Sequence, residues 1–121
     1  MIRTDVLVIG SGAAGLLLAL HAAEEGLAVA VATKGTIEES NTAWAQGGVA
    51  ASLDLEEDSA AAHLADTLAA GAGLVDEAAA ALVAAEAPKR IQELRDLGVA
   101  FNLDVSGGLA LTREAAHSHA R

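Results

Sequence analysis

The sequence contains no cysteine, which excludes disulfides, thiolate nucleophiles, cysteine-ligated zinc and any cofactor attached through sulfur. A reducing cytoplasm is the expected location. Aromatic residues are nearly missing: there is no tyrosine, and Trp44 and Phe101 are the whole aromatic complement. About a quarter of the 121 residues are alanine, so each buried side chain removes little area from water, and the chain alone should be only marginally stable. Basic residues are also few, seven Lys plus Arg against seventeen Asp plus Glu, for a formal charge of −10. Nucleic acid and anionic membranes need concentrated positive charge, so neither is an expected partner. No run is long and uncharged enough to span a membrane, and the opening "MIRTDVLVIGSG" is too short in its apolar part for a signal peptide.

What remains is 53% hydrophobic, enough for one modest domain with a core. Asp5 to Ile9, "DVLVI", reads as a strand buried on both faces. Ala13 to Glu25 is rich in Ala and Leu and is stopped by Gly26 in the C′ position, which predicts a helix. Leu27 to Thr33 reads as a second buried strand, and the three elements form a parallel βαβ unit. From Lys34 to Leu55 periodicity fails, which predicts a long loop. Asp58 or Ser59 caps a helix to about Ala70 that ends at Gly71, and Asp76 caps another that Pro88 divides. Leu94 and Leu97 carry its apolar face to Gly98, followed by a strand candidate, "VAF", a turn at Gly107 and Gly108, and a polar end, "TREAAHSHAR". Two strands do not complete a doubly wound sheet, so the chain reads as the front piece of something larger. Its open sheet edge and alanine-rich helix faces predict self-association.

"GSGAAG", Gly10 to Gly15, has the G-x-G-x-x-G spacing between a strand and a helix. Gly10 allows the tight turn, Gly12 lets backbone approach a pyrophosphate, and Gly15 permits close helix-to-strand packing; Ser11, Ala13 and Ala14 fill the spaces between. The helix N-terminus supplies N–H groups and a positive dipole end for the anion. An NAD site would want an acidic residue at the end of the second strand, but Thr33 and Lys34 stand there. Lys34 either faces phosphate or ribose or is a solvated strand-end charge, and Glu38 and Glu39 come late for the ribose role. A dinucleotide other than NAD fits at least as well.

Taken together and in order, "DVLVIGSGAAGL", "TKG", "NTAWAQGGVAA", "DTLAAGAGLVD" and "TREAAHSHAR" resemble the N-terminal part of the succinate dehydrogenase and fumarate reductase flavoprotein family, over essentially the whole chain. The resemblance implies an α/β, Rossmann-like FAD-binding βαβ unit with additional helices, an N-terminal fragment of a larger flavoprotein. It divides residues 1–121 into a βαβ unit at 1–35, an FAD-wrapping loop at 36–55, a helical segment at 56–98 and the start of a substrate-side segment at 99–121. The implied FAD contacts are Ser11 to Ala14, Lys34, and the loop of Asn41, Thr42, Ala43, Trp44, Ala45, Gln46, Gly47 and Gly48. Trp44 is either a contact or packing.

Relatives with covalent FAD carry a histidine where this sequence has Asn41, so the resemblance implies noncovalent FAD and, within the family, the branch that oxidises L-aspartate. That activity would convert L-aspartate to iminoaspartate, with oxygen or fumarate as acceptor, on the route to quinolinate and NAD. Glu114 is then either the contact for the substrate ammonium or a surface glutamate beside Arg113. Where the family pattern has glycines this chain has Ala115 and Ala116. His117 and His119 are expected to face solvent, His63 and Asp66 to form a surface pair, and no metal is expected. The groups that grip the dicarboxylate in the family have no counterpart up to Arg121, so the segment alone is expected to be inactive; the alternatives are a fragment of a fumarate reductase or succinate dehydrogenase flavoprotein, which Asn41 disfavours, and a nucleotide-binding module without catalysis.

Overall fold

The computed structural model describes residues 3–54 and 56–121; Met1, Ile2 and Leu55, the expected end of the long loop, lie outside the described residues. The chain divides into two compact units, Met1–Gly47 and Gly48–Arg121.

In the first unit, β1 (Val6–Ile9) and β2 (Val29–Ala32) pair in parallel, with Val6 opposite Val29 and Ile9 opposite Ala32. Helix α1 (Ala13–Glu24) crosses between them and packs on both. Gly26 follows the helix at φ +81°, the left-handed turn expected of a terminating glycine. Val8 is buried on the α1 side, where a Cβ added at Gly15 would stand 3.2 Å from Val8 Cγ1. Burial of β1 on both faces does not hold: Leu7 and Ile9 are 58% and 83% exposed. The described sheet has two strands and a helix on one side, so alternate β1 residues have nothing to pack against.

The second unit is built on α2 (Ala60–Gly71) and α3 (Glu77–Asp96), packed against each other. Both start at side-chain caps: Ser59 Oγ accepts from the Ala62 N–H at 3.1 Å, and Asp76 Oδ1 from the Ala79 N–H at 2.9 Å. Gly71 is the last residue of α2, but the left-handed turn falls on Ala72, φ +48°, and Gly73, φ +88°. Helix α3 runs unbroken through Pro88, against the expected division. Ala84 and Ile91 are buried and Pro88 half-buried, at spacings that place all three on one face, so packing along that stripe holds the two halves in line. Burying Ile91 alone is worth about 1.5–3 kcal/mol. "VAF" is irregular; the pairing that forms nearby is a single antiparallel bridge, Leu103 to Leu109, closed by Asp104, whose Oδ1 accepts from the N–H groups of Ser106 and Gly108. A turn that satisfies its own backbone this way needs no long strand behind it. No described helix is long and apolar enough to cross a membrane.

Pro88 withholds one backbone N–H from the helix interior, so Pro88→Ala should stabilise the second unit by about 1–3 kcal/mol. The check is a higher urea midpoint at unchanged slope; a lower midpoint would mean that packing of the proline ring outweighs the restored hydrogen bond.

Candidate functional site

Gly10 leaves β1 at φ +105°, a conformation costly for any residue with a Cβ. A Cβ on Gly15 would come within 2.6 Å of the Gly10 carbonyl oxygen, so the α1 N-terminus reaches the strand end only because that position is bare. Gly12 is the N-cap and Ala13 and Ala14 open the helix; none of them supplies a side-chain cap, and the first turn carries no acidic residue. The positive end of α1 is thus left for an external anion. Ser11 is buried, its hydroxyl 3.2 Å from that of Thr33 at the end of β2. Lys34 lies exposed just beyond, while Glu39 closes its own turn by accepting from the Thr36 N–H at 3.1 Å.

Asn41–Trp44 form a short 3₁₀ turn capped by Ser40 Oγ, which accepts from the Ala43 N–H at 3.3 Å. Thr42 Oγ1 accepts from the Ala13 N–H at 3.1 Å, bringing this turn to the α1 N-terminus. Asn41, Thr42, Ala43, Trp44, Ala45, Gln46 and Gly47 are all exposed, Trp44 at 79%, so within its unit Trp44 is not a packing residue. An added Cβ on Gly47 meets nothing within 4 Å. Gly48, also exposed, begins the second unit. A left-handed glycine, a helix start that its own N-cap residue leaves uncapped, and an exposed turn tied to it by Thr42 form a cradle that fits a dinucleotide pyrophosphate.

The second unit holds a cluster that the sequence reading missed. Arg121 is buried, its side chain fully enclosed. Its Nε and Nη2 donate to the two oxygens of Asp58 at 2.7 and 2.8 Å, and its Nη1 donates to Asp66 Oδ2 at 2.7 Å. Ser118 adds its N–H and its hydroxyl to the same Asp66 oxygen, at 2.7 and 2.8 Å. Asp66 therefore pairs with Arg121 and Ser118 rather than standing beside His63 on the surface. His63 is buried, edge-on to His117 with ring centroids 5.9 Å apart, and Nδ1 of each is buried without a partner among the described residues. His117 therefore does not face solvent, and His119, partly exposed, lies 3.6 Å from Asp58. No described group of His, Asp and Glu could hold a metal ion. Asp58 was legible only as a cap candidate; burial next to a distant arginine has no local sequence signal.

Glu114 is exposed, and Thr112 Oγ1 donates to its Oε1 at 3.2 Å. Arg113 donates from Nε to the His117 carbonyl at 2.9 Å. Ala116 sits at φ +71°, the backbone position that a glycine, as in the family pattern, adopts without strain.

Burial pushes the Asp58 carboxyl up, but hydrogen bonds from Arg121 and Ser59 outweigh it and hold it below its ordinary 3.8. Asp66 is held well below its ordinary value by the Ser118 N–H and by Arg121. Burial, then Arg121 and His117, lower His63 from 6.5. A group depressed in the folded state is protonated first in the unfolded chain, so its stabilisation is whole above the ordinary value and lost as pH falls through the folded one. Thermal stability should therefore fall in two steps on acidification, below about pH 6.5 from His63 and below about pH 4 from Asp58 and Asp66. A melting temperature flat from pH 7.5 to 5 would contradict the first step.

A family model described as FAD binding domain matches residues 5–121. L-aspartate oxidase from Streptomyces coelicolor is 47% identical over 120 residues, 99% of this chain and 20% of its own length. The Nostoc sp. L-aspartate oxidase is 51% identical over 117 residues, 97% of this chain and 20% of its own length. Among solved structures, Mycobacterium smegmatis Sdh1 in complex with UQ1 matches with TM-score 0.92 and 38% identity over 98% of this chain and 20% of that one. A variant of E. coli quinol fumarate reductase FrdA matches with TM-score 0.92 and 26% identity over 99% of this chain and 21% of that one. The chain spans about a fifth of the length of the curated relatives it matches. It belongs to the FAD-binding domain family of flavoproteins, beside L-aspartate oxidases and the flavoproteins of succinate dehydrogenase and fumarate reductase, and its cofactor is FAD.

Proposed function

We propose that this chain is the FAD-binding segment of an L-aspartate oxidase, an enzyme that converts L-aspartate to iminoaspartate toward quinolinate and NAD. The observation that supports the reading is the hydrogen bond that the Ala13 N–H donates to Thr42 Oγ1, which ties the Asn41–Trp44 turn to the glycine loop. Gly10 to Gly15 would hold the pyrophosphate, and Lys34 and Asn41 to Gly48 the rest of the dinucleotide. An asparagine amide at position 41 forms no bond to the flavin ring, so FAD is held noncovalently, which weighs against the alternative of a succinate-oxidising enzyme. FAD held there would supply the two-electron oxidation of the substrate, with oxygen or fumarate as the final acceptor. Glu114, steadied by the Thr112 hydroxyl, would receive the substrate ammonium and orient the Cα–H bond. The exposed apolar residues of β1 support self-association of the isolated chain. Location in the cytoplasm rests on the cysteine-free composition.

FAD titration of the purified chain, followed by flavin fluorescence with NAD as control, should show saturable quenching by FAD alone. Gly12 has φ −72°, and an added Cβ would make an ordinary 3.4 Å contact with Thr42 Oγ1. Gly12→Ala should therefore keep the fold yet weaken FAD at least about tenfold, about 1.4 kcal/mol, because the methyl group stands where the pyrophosphate approaches. Unchanged affinity would remove the loop from the site. In the complete flavoenzyme carrying this segment, peroxide should form with L-aspartate; formation with succinate alone would favour the alternative. Sedimentation of the chain as a clean monomer at high concentration would contradict self-association.

A further inference from the structure

The segment Thr112–Arg121 is a closed loop. Its ends pair reciprocally, the Arg121 N–H with the Thr112 carbonyl at 3.0 Å and the Thr112 N–H with the Arg121 carbonyl at 3.5 Å. Across its interior Arg113 Nε donates to the His117 carbonyl, and the His117 N–H donates to the Glu114 carbonyl at 3.1 Å. The loop has no helix or strand of its own, and it turns at Ala116 in a left-handed conformation. Its anchorage is therefore tertiary: Arg121 to Asp58, just before the α2 cap, Arg121 and Ser118 to Asp66 inside α2, and the His117 ring against His63. Glu114 lies within the closed loop, exposed, its carboxylate held by Thr112, the residue that Arg121 pairs with.

We propose that Arg121 is a positioning residue: by clamping the base of the Thr112–Arg121 loop to α2 through Asp58 and Asp66, it fixes the place from which Glu114 meets the substrate ammonium. The inference rests on the reading of Glu114 as the ammonium contact. The guanidinium itself is enclosed and already paired on three nitrogens, so it acts through the loop and not by touching substrate. A lysine would keep the charge but lose the fork that reaches both carboxylates.

Two measurements test the clamp. In the chain itself, Arg121→Met should speed amide hydrogen exchange across residues 112–121 at least about tenfold while leaving β1 and β2 unchanged, and Arg121→Lys should give a smaller increase in the same residues. In the complete flavoenzyme, Arg121→Lys should raise KM for L-aspartate with FAD affinity unchanged, Glu114→Gln should raise it further, and the double variant should be no worse than Glu114→Gln alone, because both act through one contact. Unchanged exchange in both Arg121 variants, or effects that multiply in the double variant, would overturn the positioning role. A Glu114→Gln enzyme with unaltered KM would instead sink the ammonium reading, a failure visible in that single variant whatever the exchange data give.

Discussion

A guanidinium is tolerated away from water only where carboxylates replace its hydration, and the enclosed Arg121 side chain meets that condition with Asp58 and Asp66 together. The consequence is organisational. Asp58 directly precedes the Ser59 cap, so the interaction that neutralises Arg121 also fixes where α2 begins. Asp66 lies two turns further along, so one side chain spans the first half of that helix and ties the closing loop to it. Such a pair contributes little net stability against an apolar substitute, yet removing one member leaves a buried charge, typically about 3–5 kcal/mol.

The first unit solves a different problem, the approach of backbone to backbone. The Gly10 carbonyl stands where a Gly15 side chain would begin, and this proximity aims the open end of α1 at the strand terminus. Thr42 satisfies one donor there, and the absence of a side-chain cap leaves the first turn facing outward. A pyrophosphate needs N–H groups and space, not a particular side chain, and this end of the first unit has the features for both.

Elements governed by local chemistry were legible in the sequence. Ser59 and Asp76 cap the helices expected of them, and Gly26 and Gly98 take the left-handed positions beyond α1 and α3. The errors fall where distant contacts decide. Pro88 should break a helix on propensity, but its place between Ala84 and Ile91 on the packed face keeps α3 continuous. "VAF" has strand composition but no strand partner among the described residues, and the Asp104 turn formed its bridge elsewhere. At the candidate site, the glycine turn was readable because its spacing falls between a strand and a helix, and Gly10 takes the tight left-handed turn expected of it. The ion cluster was not, since Asp58 and Arg121 are 63 residues apart and nothing near either reports the other.

The composition explains why these local devices matter so much. The buried hydrophobic residues among those described are Val8, Ala22, Ala51, Ala84 and Ile91, and an alanine contributes little area toward the conformational entropy of ordering the chain. Large apolar residues are present but outward, Leu7 and Ile9 on β1 and Leu82 and Val83 on α3 among them. Caps, left-handed glycines and one enclosed ion cluster can specify the backbone without a large core, but they do not supply the burial that makes a domain robust. In flavoproteins of which this chain spans about a fifth, further chain is available to cover such faces. Where strand and helix approach most closely, at Gly10 and Gly15, the chain goes further and dispenses with side chains, so the first unit gains a tight turn from bare positions while small ones thin its core.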